Sequence, residues 1–169
     1  MDTFESLVSE MDHDVRGDAP HTREHHHDAP GRLTSAEQIH KFALAGKATL
    51  TLRSVGTGSR FTYRITASDD GAVHFVSVLT DFDNENGYTY LGIIRRGVFM
   101  RTGKSRIGID APSHKAFAWA WRMFASGRVP ESLEVWHEGR CGRCGRKLIV
   151  PESIASGIGP ECASKMGLN

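Results

Sequence analysis

The amino-acid sequence predicts an α+β fold: a short helix, an antiparallel sheet of about five strands, a packed aromatic helix and a small C-terminal structural zinc module. Three observations carry this. Apolar and polar residues alternate through several segments between Leu50 and Thr102, which is the period of half-buried strands. Phe117, Trp121 and Phe124 recur at helical spacing. All three cysteines, Cys141, Cys144 and Cys162, lie beyond residue 140, and the first two form a C-x-x-C pair of the kind that holds metal.

The chain opens on an acidic, histidine-containing stretch. Residues 1–33 carry eight acidic and three basic side chains, whereas the remainder carries 12 acidic and 18 basic ones. The stretch has no apolar period, is broken by Ala19-Pro20 and Ala29-Pro30-Gly31, and contains His25, His26 and His27. Such composition buries too little surface to offset the entropy of ordering. Residues 1–33 are therefore expected to be a disordered tail, followed by an α+β domain over 34–130 and a zinc-binding module over 131–169.

Thr34-Ser35-Ala36-Glu37 reads as a capping box, opening a short helix with Ile39, Phe42 and Ala43 on one side that stops at Gly46. Leu50 and Leu52 then alternate with threonines and Arg53. Gly56-Thr57-Gly58 turns the chain into a second alternating strand with Phe61, Tyr63 and Ile65. Asp69-Asp70-Gly71 is a hairpin turn before the more continuously apolar Val73–Thr80. Tyr88–Ile94 and Val98–Thr102 pair around Arg95-Arg96-Gly97. Pro112-Ser113 starts the longest helix and Gly127 ends it. Its aromatic residues, spread around the circumference, predict packing on two sides. Leu133–Glu138 is a short strand leading into the cysteines.

With 39% hydrophobic and 24% charged residues in 169, the composition is that of a globular protein rather than a fibrous one. No apolar run reaches 18 residues, which excludes a membrane-spanning helix. Met1–Glu10 lacks the basic start and apolar core of a signal peptide. A cytoplasmic location follows, where cysteines stay reduced and serve metals rather than disulfides.

Zinc requires soft ligands converging tetrahedrally. Gly142 and Gly145 free the C-x-x-C turn to aim backbone amides at sulfur, and Pro160 starts a helix that carries Cys162 in its first turn. His137, on a strand face with Leu133 and Val135, is the expected fourth ligand, giving a Cys3His set of His137, Cys141, Cys144 and Cys162. His114, Glu161 or a histidine of the tail are the alternatives. A deaminase reading fails on spacing, because His137 and Glu138 are adjacent and no proline precedes Cys141.

The runs Trp136-His137-Glu138-Gly139-Arg140-Cys141-Gly142-Arg143-Cys144-Gly145-Arg146 and Pro151 to Cys162 resemble those of an uncharacterised family of small proteins carried by phages, plasmids and bacteria. The resemblance covers roughly His137 to Ala163. It implies a zinc-ribbon or treble-clef-like module and a mobile-element setting, and it implies no activity.

Two sequence features imitate other sites. Thr102-Gly103-Lys104-Ser105 lacks the first glycine of a phosphate loop, since position 98 is Val98. Asp81–Gly87 imitates a calcium loop, but its twelfth position is Gly92 rather than Glu. Between Arg95 and Lys147 the count is 12 basic against four acidic residues. Arg95, Arg96, Arg101, Lys104, Arg106, Arg140, Arg143, Arg146 and Lys147 are candidates for a phosphate-binding stripe, with Tyr88, Tyr90 or Trp136 available for stacking. Alternatively, the arginines beside the cysteines offset the formal charge of the thiolates. The sequence thus points to a non-enzymatic zinc protein that binds nucleic acid. The alternative is a protein-binding module that modulates a host enzyme.

Overall fold

The computed structural model describes residues 31–168. In chain order they form β1 (Arg32–Leu33), α1 (Ala36–Ala43), β2 (Lys47–Ser54), β3 (Arg60–Ala67), β4 (Val73–Leu79), β5 (Tyr88–Arg95), β6 (Val98–Met100), α2 (Pro112–Ala125), β7 (Leu133–His137), α3 (Pro151–Ser156) and α4 (Pro160–Lys165). Among the described residues the strands make one seven-stranded antiparallel sheet, ordered β1-β7-β2-β3-β4-β5-β6.

The alternation read from the sequence sorts the two faces. On the inner face, Leu50 pairs with Tyr63, Tyr63 with Val78 and Ala48 with Ile65, and all of these side chains are buried. Helices α1 and α2 cover this face through Ile39, Phe42, Phe117, Trp121 and Phe124, also buried. The Tyr63 and Phe117 rings pack at a tilt with centroids 4.8 Å apart, and the Tyr63 hydroxyl donates to the carbonyl of Ser113 at 2.7 Å. Trp121 packs on His40 of α1 and donates its indole N–H to Gly97 in the β5–β6 turn at 2.9 Å. The aromatic helix is thereby tied to α1 on one side and to the sheet on the other, the two-sided packing its composition requires.

The turns follow the sequence signals. Arg96 (φ 51) and Gly97 (φ 77) both adopt left-handed backbone between β5 and β6, the geometry of the tight turns that match strand twist. A bulge between Val76 and Ser77 sets Ser77 opposite Tyr90 and Val76 opposite Gly92. The extra residue, Leu91, is fully buried. The one-residue insertion lets Tyr90 and Ile93 share the outer face.

Three expectations change. The cap of α1 is Ser35, whose Oγ accepts the Gln38 N–H at 3.2 Å, while the Gln38 side chain accepts the Thr34 N–H at 3.1 Å. Thr34 cannot turn into the helix because it directly follows Leu33, which is held opposite Val135. Glu37 instead pairs with Lys41 at 2.7 Å. Of the stretch expected to be a disordered tail, residues 1–30 lie outside the described residues, but Arg32–Leu33 is the edge strand β1. Two residues are too short to show a period, and their order comes from pairing with β7 and from burial of Leu33 in the core. Finally, β7 is more than a lead into the cysteines. It lies between β1 and β2, Leu52 opposite Val135 and Leu50 opposite His137, so the boundary drawn at 131 runs through the sheet.

Candidate metal centre and basic surface

The cysteine segment grows directly out of β7. After His137, Gly139 takes a left-handed conformation (φ 75), and Arg140 forms a bridge with Lys147. The Cys141 N–H donates to Arg146 O at 2.8 Å, and the Gly145 N–H returns to Cys141 O at 2.8 Å. This tight loop presents Cys141 and Cys144 on one side. Helix α3 ends at Gly157 (φ 74), and Gly159-Pro160 then starts α4 and brings Cys162 back to the loop.

The loop is seated on α1. The Lys47 N–H donates to Gly142 O at 2.6 Å, and the Gly142 N–H donates to Gly157 O at 2.9 Å. A Cβ at Gly142 would fall 2.7 Å from the Phe42 ring, and one at Gly157 2.5 Å. Both glycines are required by this close approach. Phe42 therefore serves as the joint between the sheet and the cysteine segment. A phenylalanine on an amphipathic helix reads as core in the sequence, and only the fold reveals what it supports.

The three sulfurs lie within 4.8 Å of one another. Cys141 is buried, Cys144 exposed and Cys162 between the two. Burial pushes the Cys141 thiol up, but the backbone amides of Gly159, Cys144 and Arg143 outweigh it and hold the thiol below its ordinary value. The Gly159 N–H reaches the Cys141 sulfur at 3.4 Å. Cys162 moves the other way, to about 11, through burial and then through the other two cysteines. Three thiols this close cannot all ionise unless a cation sits among them. Soft sulfurs, amides aimed at one of them and mutual repulsion together fit a bound metal. The segment Cys141–Cys162 is thus placed to hold a metal ion.

His137 is not brought into this group. Its Nδ1 accepts the Gly139 N–H at 3.0 Å, which leaves Nε2 to donate to Ile154 O at 2.6 Å. Both nitrogens are used, and burial depresses the ring's proton affinity. In this arrangement the imidazole staples β7 to α3 through both ring nitrogens. The inward face of the strand was read correctly from the sequence, but the backbone partners waiting there were not legible. Of the alternatives, His114 lies against Phe99 near the start of α2. Glu161 lines the same cavity of about 250 Å³ as the three cysteines, its carboxylate 3.5 Å from Arg146. The tail histidines lie outside the described residues.

Residues 133–167 match a family of unknown function, DUF6011. The match spans β7 and the whole cysteine segment and covers less than half of the chain. No curated protein and no solved structure matches. The chain is similar to that family where the three cysteines lie.

The nine basic candidates fall into separate groups rather than one stripe. Arg143 reaches Cys162 O at 3.5 Å, Arg140 reaches Gly145 O at 3.2 Å, and Arg146 faces Glu161. With Lys147, these surround the cysteine loop, and the Arg140 and Arg143 side chains brace its backbone. Arg95 and Arg96 sit in the β5–β6 turn. Strands β5 and β7 run in the same direction, so this turn lies at the same end of the sheet as the cysteine loop. Four strand spacings, about 19 Å, separate them. Arg101, Lys104 and Arg106 occupy the loop after β6, which folds back beside β5. The Arg106 N–H donates to Tyr90 O at 3.2 Å, and the Arg101 side chain is held by Ile107 O and Ser105 O. The Thr102–Ser105 segment is a turn closed by Ser105 N–H to Thr102 O. The acidic loop is organised by Asp83, which accepts the amides of Glu85 and Asn86.

Proposed function

We propose that this chain is a non-enzymatic zinc protein that binds nucleic acid. The observation that carries the zinc reading is the convergence of three thiols around amides already aimed at sulfur. Zinc is favoured among soft-ligand metals because it takes tetrahedral thiolate sites without redox chemistry. With the thiols committed to a metal, they serve structure rather than nucleophilic catalysis. Reduced thiols accord with a cytoplasmic protein, and the phage- and plasmid-borne proteins that the motif resembles support a mobile-element setting.

Nucleic-acid binding is supported by the two basic groups at one end of the sheet, Arg95–Arg96 and the cysteine loop. Binding through about four to six phosphate contacts should fall with salt along a log–log slope of roughly −3 to −5. Fluorescence anisotropy across a salt series checks this. Arg95→Glu with Arg96→Glu should weaken binding to all sequences and flatten the slope while zinc content stays constant. The absence of binding at low salt in zinc-loaded protein would overturn the reading. A protein-binding role is the second reading, favoured by the exposed Phe75, Val98 and Met100 at the β6 side of the sheet.

A further inference from the structure

The two faces of the sheet differ in kind. Helices α1 and α2 cover the inner face, whereas the outer face gathers aromatic and cationic side chains from strands distant in sequence. Trp136 lies opposite Thr51, and Thr51 opposite Thr62. Arg64 lies opposite Ser77, Ser77 opposite Tyr90, and Leu79 opposite Tyr88. From Trp136 on β7 to Tyr88 on β5 is four strand spacings, about 19 Å, and Arg64 on β3 lies halfway. All three rings are partly exposed.

Arg64 is fixed in place. Its guanidinium lies 3.8 Å over the Tyr88 ring and donates to the carbonyls of Glu85 and Asn84 at 2.8 and 3.3 Å. Lys47 and Arg60, on the same face, are exposed. Arg53 is engaged by Glu134 at 3.1 Å.

We infer that this outer face is a stacking platform for single-stranded nucleic acid, in which Tyr90 and Trp136 meet bases while Lys47, Arg60 and the Arg64 guanidinium held over Tyr88 present positive charge to the backbone. The inference rests on the nucleic-acid reading above and names its substrate class. Single strands offer what the face lacks: unstacked π-surfaces beside a line of negative charge. A duplex hides its base faces and offers only its phosphates. The apolar patch at Phe75 and Met100 lies to one side of the Trp136–Tyr88 row, where it leaves the cationic centre free.

The zinc-loaded full chain is titrated with short oligopyrimidine strands, deoxy and ribo, and with a matched duplex. Binding is read by anisotropy and by tryptophan fluorescence. Trp119 and Trp121 are 9% and 3% exposed, so quenching on binding reports Trp136. We expect single strands to bind more tightly than duplex, with tryptophan quenching that vanishes in Trp136→Phe. Tyr90→Leu should weaken single-strand binding by roughly 5- to 150-fold, the cost of losing one stacked base, with the salt slope unchanged. Tighter binding of the ribo strand would assign RNA, and of the deoxy strand DNA. Equal or tighter duplex binding, or single-strand binding without quenching in the parent chain, would overturn the platform. If the Arg95→Glu/Arg96→Glu variant alone loses affinity, nucleic-acid binding stands and the platform falls. If no oligonucleotide binds the parent chain, both fall.

Discussion

The sheet with its two covering helices and the segment after His137 are built on different physics. In the first, Ile39, Phe42, Leu50, Leu52, Tyr63, Ile65 and Leu91 are essentially inaccessible, and the burial of their apolar surface supplies the driving force. In the second, Cys141, Leu148 and Ile158 are the buried apolar residues. The rest is tight loops, short helices and carbonyl–amide bonds, with Ile149 at 79% exposed. A segment of this kind needs a cross-link to hold its shape. The contrast teaches that the chain stabilises one region by volume, while the other has little buried volume and carries three cysteines placed to hold a metal ion, with Phe42 and β7 belonging to both.

The largest expected effect comes from removing the cross-link. Cys144→Ser, or chelation of the wild-type protein, should abolish stoichiometric zinc and open residues 139–167 to fast amide exchange. Strand β7 should keep its protection, because its partners are β1 and β2. Exchange mapped by mass spectrometry distinguishes the two. Simultaneous loss of protection in β2 and β3 would break the comparison.

Next in size is the joint. Phe42→Ala should cost about 3–5 kcal/mol, as large aromatic truncations in cores do. It should also weaken zinc retention, since the ring abuts both Gly142 and Gly157. Leu52→Ala, a buried residue that faces Val135, should lower the melting temperature by a comparable mechanism, about 2–5 kcal/mol, yet leave zinc affinity unchanged. Competition with a chromophoric chelator measures the difference.

His137→Phe sharpens the comparison further. A ligand would take zinc with it when replaced. The bonds to Gly139 and Ile154 predict instead a zinc-replete protein destabilised by about 1–3 kcal/mol, from two backbone groups left without partners.

The smallest effect is on pH dependence. His40, His114 and His137 all have proton affinities depressed by burial. Each therefore binds fewer protons folded than unfolded just below the ordinary histidine value of about 6.5. Their contribution is fully present above that value and is lost as pH falls through the lower, folded values. Thermal melts of the Cys144→Ser chain, in which metal release plays no part and the His137 contact with α3 is lost, should still show stability declining below about pH 6.5 through His40 and His114.

Local chemistry was legible in the sequence where it is local. The alternation around Leu50, Tyr63 and Val76 found the inner face, Arg96-Gly97 found its turn, and the cysteine spacing found the three sulfurs. What the sequence does not carry is partnership at a distance. Arg32–Leu33 is ordered by a strand a hundred residues away. His137 was correctly turned inward, but its partners, Gly139 and Ile154, are backbone groups with no side-chain signature. The two runs of basic residues, Arg95–Arg106 and Arg140–Lys147, do not form one stripe because β5 and β7 lie four strand spacings apart.

The position of β7 also governs the order in which the chain assembles. Strands β2 to β6 are joined by short connections, and each pairs with its neighbour in sequence. They can zip together as soon as they exist. β1 and β2 cannot be bridged until residues 133–137 arrive, so these contacts carry the largest loop-closure entropy in the sheet. During synthesis the hydrogen-bonding edge of β2 stays open until residues 133–137 have been made. The insertion of β7 is then the late step, and it closes the vulnerable edge and delivers the cysteines to their meeting point in one movement.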